Sequence, residues 1–203
     1  RGMSSAASDV YKRQKKNNVS FNYGVASGDP TNTHIILWTK VSPTFNRDVT
    51  VKWQLSADKN FKNILNSGYV SAKYSNDFTI KVDVKVPNRF RGNKVFYRFL
   101  YNDTISDTGI TNTLPQNDPD KYNIAFCSCS NHPAGYFNAY REMAKNDDID
   151  LVLHLGDYIY EYDKDGYATE DSKRFNREVD PKHEIVSLNA VSYTHLTLPT
   201  TYH

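Results

Sequence analysis

The chain has 203 residues, of which 38% are hydrophobic and 24% charged, and its formal net charge is +2. This length fits one or two globular domains, and charges of both signs spread along the chain give no signal of nucleic-acid or membrane-surface binding. No apolar run approaches the ~20 residues that a transmembrane helix needs.

The two ends of the chain differ from its middle. Residues 1–14 have no hydrophobic periodicity, and residues 191–203 break off abruptly from the pattern before them. Both stretches resemble translated sequencing-adapter sequence, so we predict that residues 1–18 are disordered and non-native and that residues 191–203 are a non-native tail. A natural disordered tail at each end is the alternative. On the first interpretation, the chain is a fragment of a longer protein.

The first half alternates apolar and polar side chains. The clearest example places Val49, Val51, Trp53 and Leu55 on one face of a strand. About seven short strands within roughly 95 residues favour an antiparallel sandwich of immunoglobulin or fibronectin type over residues 19–114. The predicted strands cover residues 19–25, 35–41, 49–56, 69–73, 78–86, 95–101 and 105–111.

The pattern changes after a linker at residues 115–121, which is rich in Pro, Asn and Asp. A short apolar strand is predicted over residues 122–127, a helix over 136–146 and a second strand over 149–155. Strand, helix and strand make one βαβ unit, so residues 122–190 are predicted to begin an α/β domain that this chain does not complete.

Three side chains that can bind a metal ion are predicted to meet at one edge of this second sheet. Gly156 ends the apolar strand and Asp157 follows, at the carboxyl end of a strand, where open α/β sheets bind their ligands. The Asp157 carboxylate can bridge two cations, and Tyr160 can bind a trivalent ion as its phenolate. Cys129 lies just past the neighbouring strand, so its thiolate should lie at the same edge.

A family resemblance rests on several blocks of sequence. In the second half they are Cys129-Ser130-Asn131, then Gly135-Tyr136-Phe137-Asn138-Ala139-Tyr140, then the run from Asp150 to Tyr162 that contains Gly156-Asp157-Tyr158-Ile159-Tyr160-Glu161. In this order they resemble the PhoD-type alkaline phosphatases, metallophosphoesterases related to the purple acid phosphatases. Residues 23–30 and 37–43 resemble the N-terminal domain of that family, although Lys40 stands where the family commonly has Arg.

The resemblance implies a site, a reaction and a location. It assigns Cys129, Asp157 and Tyr160 as metal ligands, with iron and calcium as the metals and zinc as a weaker alternative. It implies hydrolysis of phosphomonoesters or phosphodiesters by a metal-activated water, in a periplasmic or extracellular protein that we expect to be a monomer. No export signal is visible. The family's later ligands, including an Asp-Asp-His segment, do not occur in this sequence. The active site of this chain is therefore predicted to be incomplete and the chain alone inactive, with its catalytic residues unknown.

Other interpretations stay open. Residues 127–129 could be a Cys-x-Cys zinc or redox site, and Asp157 could simply cap a turn. For the whole chain, the alternatives are a non-catalytic β-sandwich binding module and a misfolding truncated stub.

Roles near the site are predicted as follows: Cys127 structural, His154 a hydrogen-bonded histidine of the core, Tyr158 and Tyr162 packing residues, Glu161 an orienting residue, and Asn131 and His132 neighbours of the site without an assigned role.

Overall fold

The computed structural model describes residues 18–188, 190 and 191. The predictions of disorder for residues 1–17 and of a non-native tail for residues 192–203 lie outside the described residues. The chain divides into two compact units, Arg1–Gln116 and Asn117–His203. The division falls within residues 115–121, the segment that the sequence identifies as a linker.

The first unit is built from short antiparallel strands. The strands are β1 (Val19–Ser20), β2 (Val25–Gly28), β3 (His34–Lys40), β4 (Ser42–Pro43), β5 (Val49–Ser56), β6 (Ile64–Ala72), β7 (Thr79–Lys85), β8 (Val95–Tyr101), β9 (Thr104–Ile105) and β10 (Gly109–Thr111). One sheet has the strand order β10-β8-β5-β6 with β9 paired to β8, a second has the order β2-β3-β7, and β1 pairs with β4.

Both larger sheets contribute to one hydrophobic core. Leu37 of β3 and Ile80 of β7 come from the three-stranded sheet, and Leu55 of β5 and Phe99 of β8 come from the five-stranded sheet. All four side chains are fully buried, because alternate residues of a strand point to the same face. The β-rich character predicted for this half is confirmed. The immunoglobulin or fibronectin type stays a prediction.

Two strands predicted to be continuous are each divided into two in the structure. The strand predicted over residues 19–25 is divided into β1 and β2, since Gly24 adopts a left-handed conformation with φ of 67°. The strand predicted over residues 105–111 is divided into β9 and β10. Between them, the Ser106 hydroxyl accepts the Phe99 amide at 2.9 Å and donates to the Asp107 carbonyl at 2.8 Å. These side-chain bonds replace part of the strand ladder.

The second unit contains a strand, a helix and a strand. These are β11 (Ile124–Cys127), α1 (Asn138–Lys145) and β12 (Leu151–His154), and β11 pairs with β12 in parallel, with Cys127 opposite His154. Each element is shorter than its predicted range but has the predicted type. That this unit begins an α/β metallophosphoesterase domain stays a prediction. In the part of the chain that the structure describes, no helix is both long and apolar enough to cross a membrane.

Candidate metal centre

The loops that follow β11 and β12 lie side by side. The parallel pairing continues past the strand ends, because the Cys129 amide donates to the Gly156 carbonyl at 3.1 Å and the Ser130 amide donates to the Asp157 carbonyl at 2.8 Å. The carboxyl ends of two parallel strands share one edge of their sheet. These backbone bonds therefore place Cys129 and Asp157 next to each other, as the sequence predicts.

Both loops have an unusual backbone. Cys129 has a φ of 62° and Asp157 a φ of 54°, in the left-handed region that non-glycine residues seldom adopt. Gly156, which separates β12 from Asp157, has a φ of 113°. Left-handed residues other than glycine cluster at ligand-binding and catalytic positions. Two of them in directly paired loops mark this edge of the sheet as a candidate site.

The three predicted ligands come together at this edge. The Cys129 thiol lies 3.5 Å from Oδ2 of Asp157, and the Tyr160 hydroxyl lies 3.4 Å from the same oxygen. Cys129 and Asp157 are exposed, while Tyr160 is half-buried. The Tyr160–Asp157 separation exceeds the usual 2.7–2.8 Å of a hydroxyl–oxygen hydrogen bond. The three acidic groups converge on Oδ2 of Asp157.

The electrostatics of this cluster favour a cation. A hydrogen bond to Cys129, then partial burial, then the negative charge of Asp157 raise the pKa of Tyr160 above its ordinary value. The hydrogen bond favours the neutral phenol, burial penalises the charged phenolate, and the Asp157 carboxylate repels it. A metal ion among the three groups would reverse that balance and favour the ionised ligands.

The donor set fits part of a metal site. Among residues 18–188, 190 and 191, no group of three or more His, Cys, Asp and Glu side chains is placed to hold a metal ion. The cluster itself offers two side chains of those types and a phenol. Asn131, in the same loop as Cys129, has a buried Oδ1 atom without a hydrogen-bond partner. One thiolate, one carboxylate and one phenolate can bind a metal, but further ligands are needed to complete its coordination.

A second group of side chains lies behind the two loops. His154 Nε2 is 2.9 Å from the Tyr140 hydroxyl and 3.0 Å from the Ser130 hydroxyl, and these two hydroxyls contact each other. The hydrogen-bond partners of His154 Nε2 are therefore these two hydroxyls. Sequence reasoning missed Ser130 and Tyr140 as partners, although both lie in the blocks that carry the family resemblance.

A small cleft of about 40 Å³ lies beside Tyr160. Tyr167 forms part of its wall and stacks on Tyr160, with ring centroids 6.1 Å apart. Tyr162 lies against Tyr167 at 5.8 Å, so the predicted packing role of Tyr162 has a partner that the sequence did not identify. Asn131 and His132 also line this cleft, and the Glu161 side chain is exposed.

Two family models match the chain. The model described as the N-terminal domain of PhoD-like phosphatases matches residues 4–115, and the model described as PhoD-like phosphatase matches residues 124–195. The two matches cover the first and the second unit in turn. Their outer limits extend into the terminal stretches that the sequence interpretation sets aside.

Two known proteins are similar over most of this chain. Alkaline phosphatase D of Bacillus subtilis (strain 168) is 38% identical over an alignment of 179 residues, and the alignment covers 83% of this chain and 29% of that protein. A solved structure titled "Structure of PhoD" is 34% identical with a TM-score of 0.76, over 87% of this chain and 34% of that chain. This chain therefore spans about one third of the length of the relatives that it matches.

Proposed function

Because the chain belongs to the PhoD-like phosphatase family, we propose that it is part of a metal-dependent enzyme that hydrolyses phosphate esters. Cys129, Asp157 and Tyr160 are its proposed metal ligands, with iron and calcium as the proposed metals. The observation that carries this proposal is that the Cys129 thiol and the Tyr160 phenol both lie within 3.5 Å of the same carboxylate oxygen of Asp157. The proposed substrates are phosphomonoesters or phosphodiesters.

The three side chains supply negative charge at an exposed edge of the sheet. A bound cation would supply Lewis acidity, which polarises phosphate oxygens and lowers the pKa of water. Asp157 has two oxygens and can face two cations, while Cys129 and Tyr160 each offer one donor atom. The residues of this chain thus hold and orient cations for an anionic substrate, which would otherwise be repelled by the carboxylate and thiolate.

The experiment is hydrolysis of p-nitrophenyl phosphate and bis(p-nitrophenyl) phosphate by the full-length gene product. Cys129→Ser, Asp157→Asn and Tyr160→Phe should each lower kcat/KM by more than about a hundredfold, because each removes a direct ligand. Cys127→Ser is the matched control, since the described contacts of the Cys127 thiol are with the Leu153 carbonyl at 3.9 Å and with Tyr140, not with Asp157 or Tyr160. Equal activity of the Cys129 and Cys127 variants would contradict the assignment.

We further propose that the full-length protein is exported to the periplasm or the cell exterior and that the 203-residue chain alone is inactive. Three ligands supply too little negative charge and too few donor atoms to complete the coordination of the metal ions. The purified chain should therefore hydrolyse p-nitrophenyl phosphate no faster than its Cys129→Ala and Asp157→Asn variants. Turnover above these controls, measured after iron and calcium are added, would show that the chain holds a complete site.

A further inference from the structure

Three polar side chains from three different segments meet behind the candidate metal centre. Ser130 lies in the loop after β11, Tyr140 lies on α1 and His154 ends β12. His154 Nε2 is within 3.0 Å of both hydroxyls, and the two hydroxyls contact each other. Ser130 is buried, with 4% of its surface exposed, so water competes little for these bonds.

The other ring nitrogen of His154 fixes the direction of these bonds. Its Nδ1 atom accepts the Gly156 amide proton at 3.3 Å. In a neutral imidazole one nitrogen accepts and the other donates, so Nε2 carries the proton and donates it to the hydroxyl pair. One histidine thereby connects the backbone of the second loop to the side chain of the first loop and to the helix.

The bonded groups are direct neighbours of the proposed ligands. Ser130 follows Cys129 in sequence, and Gly156 precedes Asp157. Both ligands have left-handed backbone conformations, which cost free energy and persist only when their surroundings impose them. Strands β11 and β12 are only four residues long, so they give little support of their own.

We propose that Ser130, Tyr140 and His154 form a hydrogen-bonded clamp that holds the Cys129 loop and the Asp157 loop in register before any metal binds. The three are positioning residues, because they act on the ligands through the backbone and touch neither metal nor substrate. That the loops carry metal ligands rests on the proposed function, whereas the clamp itself can be tested in metal-free protein.

The first test is amide hydrogen exchange of the 203-residue chain in the presence of a chelator. Tyr140→Phe removes one hydroxyl and should speed exchange of the Cys129 and Ser130 amides by about three- to tenfold, as expected for the loss of one hydrogen bond. Tyr136→Phe is the matched control, because the Tyr136 hydroxyl donates to the Phe175 carbonyl at 3.1 Å, outside the clamp. It should leave both amides unchanged.

Unchanged exchange of both amides in Tyr140→Phe would overturn the clamp. Uniformly faster exchange throughout the second unit would also overturn it, in favour of a general stabilising role. The Ser130→Ala variant tests whether Ser130 and Tyr140 belong to one hydrogen-bond network. Residues of one network are non-additive, so the Ser130→Ala and Tyr140→Phe double variant should exchange no more than about twofold faster than the more affected single variant. Additive effects would contradict a shared network.

The second test uses cobalt(II), whose charge-transfer absorption reports a thiolate ligand. In the full-length gene product, where further ligands can complete the site, Tyr140→Phe should weaken cobalt binding by about tenfold, as loss of a residue that orients a ligand does. Equal affinity of the wild-type and variant proteins would overturn the positioning role. If the full-length protein shows no cobalt band that depends on Cys129, the proposed metal centre fails, while the exchange experiment still decides whether the clamp exists.

Discussion

Burial lowers the pKa of the His132 imidazole to about 4, and the positive charge of Arg177 adds to the effect. In the unfolded chain this pKa is about 6.5. Between these values the unfolded state binds a proton that the folded state excludes, so stability falls as the pH drops from about 6.5 to about 4. We expect a loss on the order of 1–2 kcal/mol, reduced by solvent screening because the ring is only partly buried.

The pH dependence of the free energy of unfolding of the second unit, followed by amide signals of its residues, measures this effect. His132→Gln cannot be protonated and should flatten the profile between pH 6.5 and pH 4. An equally steep profile in this variant would assign the acid sensitivity to other groups.

Lys40 forms a buried ion pair that should stabilise the first unit. Its Nζ pairs with Oδ2 of Asp77 and lies 4.6 Å from the centre of the Tyr23 ring, and the Lys40 side chain is 10% exposed. Lys40→Met leaves Asp77 without this cation and should lower the free energy of unfolding by about 1–3 kcal/mol, because the carboxylate keeps partial access to water. Lys40→Arg keeps the charge and should lower it less.

The first unit contains both tryptophans of the chain, Trp38 and Trp53, so their fluorescence during urea unfolding measures these changes. Lys73→Met is the control. Lys73 pairs with Asp48 at 2.8 Å, but its side chain is 54% exposed. Such a surface pair contributes less than about 1 kcal/mol. A loss as large for Lys73→Met as for Lys40→Met would refute the importance of burial.

At this scale the sequence predicts part of the candidate site. The proximity of Cys129 and Asp157 follows from the predicted order of strand, helix and strand alone, because parallel strands end at the same edge of their sheet. The sequence does not predict that Ser130 and Tyr140 meet His154. That contact depends on the rotation of α1 against the loop, and no local pattern of side chains encodes it.

Among the elements, β8 and β10 meet where the Tyr97 ring of β8 packs directly against Gly109 of β10. A Cβ atom added at Gly109 would overlap the ring of Tyr97, which lies opposite in the β8 register and is 2% exposed. Gly109→Ala should therefore destabilise the first unit by about 1–3 kcal/mol through overpacking. The midpoint and slope of urea unfolding, followed by tryptophan fluorescence, measure this change.

Gly28→Ala is the matched control in β2. A Cβ atom at Gly28 meets no other atom within 4 Å, and its φ lies outside the left-handed range. This variant should be neutral or slightly stabilising, since alanine restricts the unfolded chain more than glycine does. Similar losses in both variants would show that backbone freedom, not contact with Tyr97, sets the cost.

Strands with strict alternation were predictable from the sequence, and interrupted ones were not. Strand β5 matches its predicted residues 49–56 because buried residues alternate with more exposed ones from Val49 to Leu55. The breaks near Gly24 and Ser106 depend on one backbone angle and on local hydroxyl bonds. Helix α1 begins two residues later than predicted, and Phe137 at its N-cap gives no capping side-chain bond. Apolar spacing does not encode such boundaries.

Across the whole molecule, the second unit leaves much apolar surface open. Phe126 is 69% exposed and Leu155 66%, and further side chains of the parallel pair, Ile124, Val152 and Leu153, are exposed as well. Parallel strands are normally covered on both faces. We expect the purified chain to associate at rising concentration, which light scattering measures, even though the full-length protein is predicted to be a monomer.

Phe126→Lys combined with Leu155→Lys should suppress this association, because charge on the open faces opposes contact between copies. Tyr69→Lys is the control, since Tyr69 is 72% exposed but lies on β6 of the first unit. Equal scattering from the wild-type chain, the double variant and Tyr69→Lys would show that another surface mediates the association. It would also weaken the interpretation of this chain as a truncated stub.

The exposure of Cys129 has a practical consequence. Cys129 is exposed, whereas Cys127, the last residue of β11, is half-buried. A thiol-reactive mercurial should therefore label Cys129 first and deliver a single heavy atom beside Asp157. Such an adduct would give crystallographers a phasing atom and spectroscopists an addressable probe, both located at the proposed metal centre.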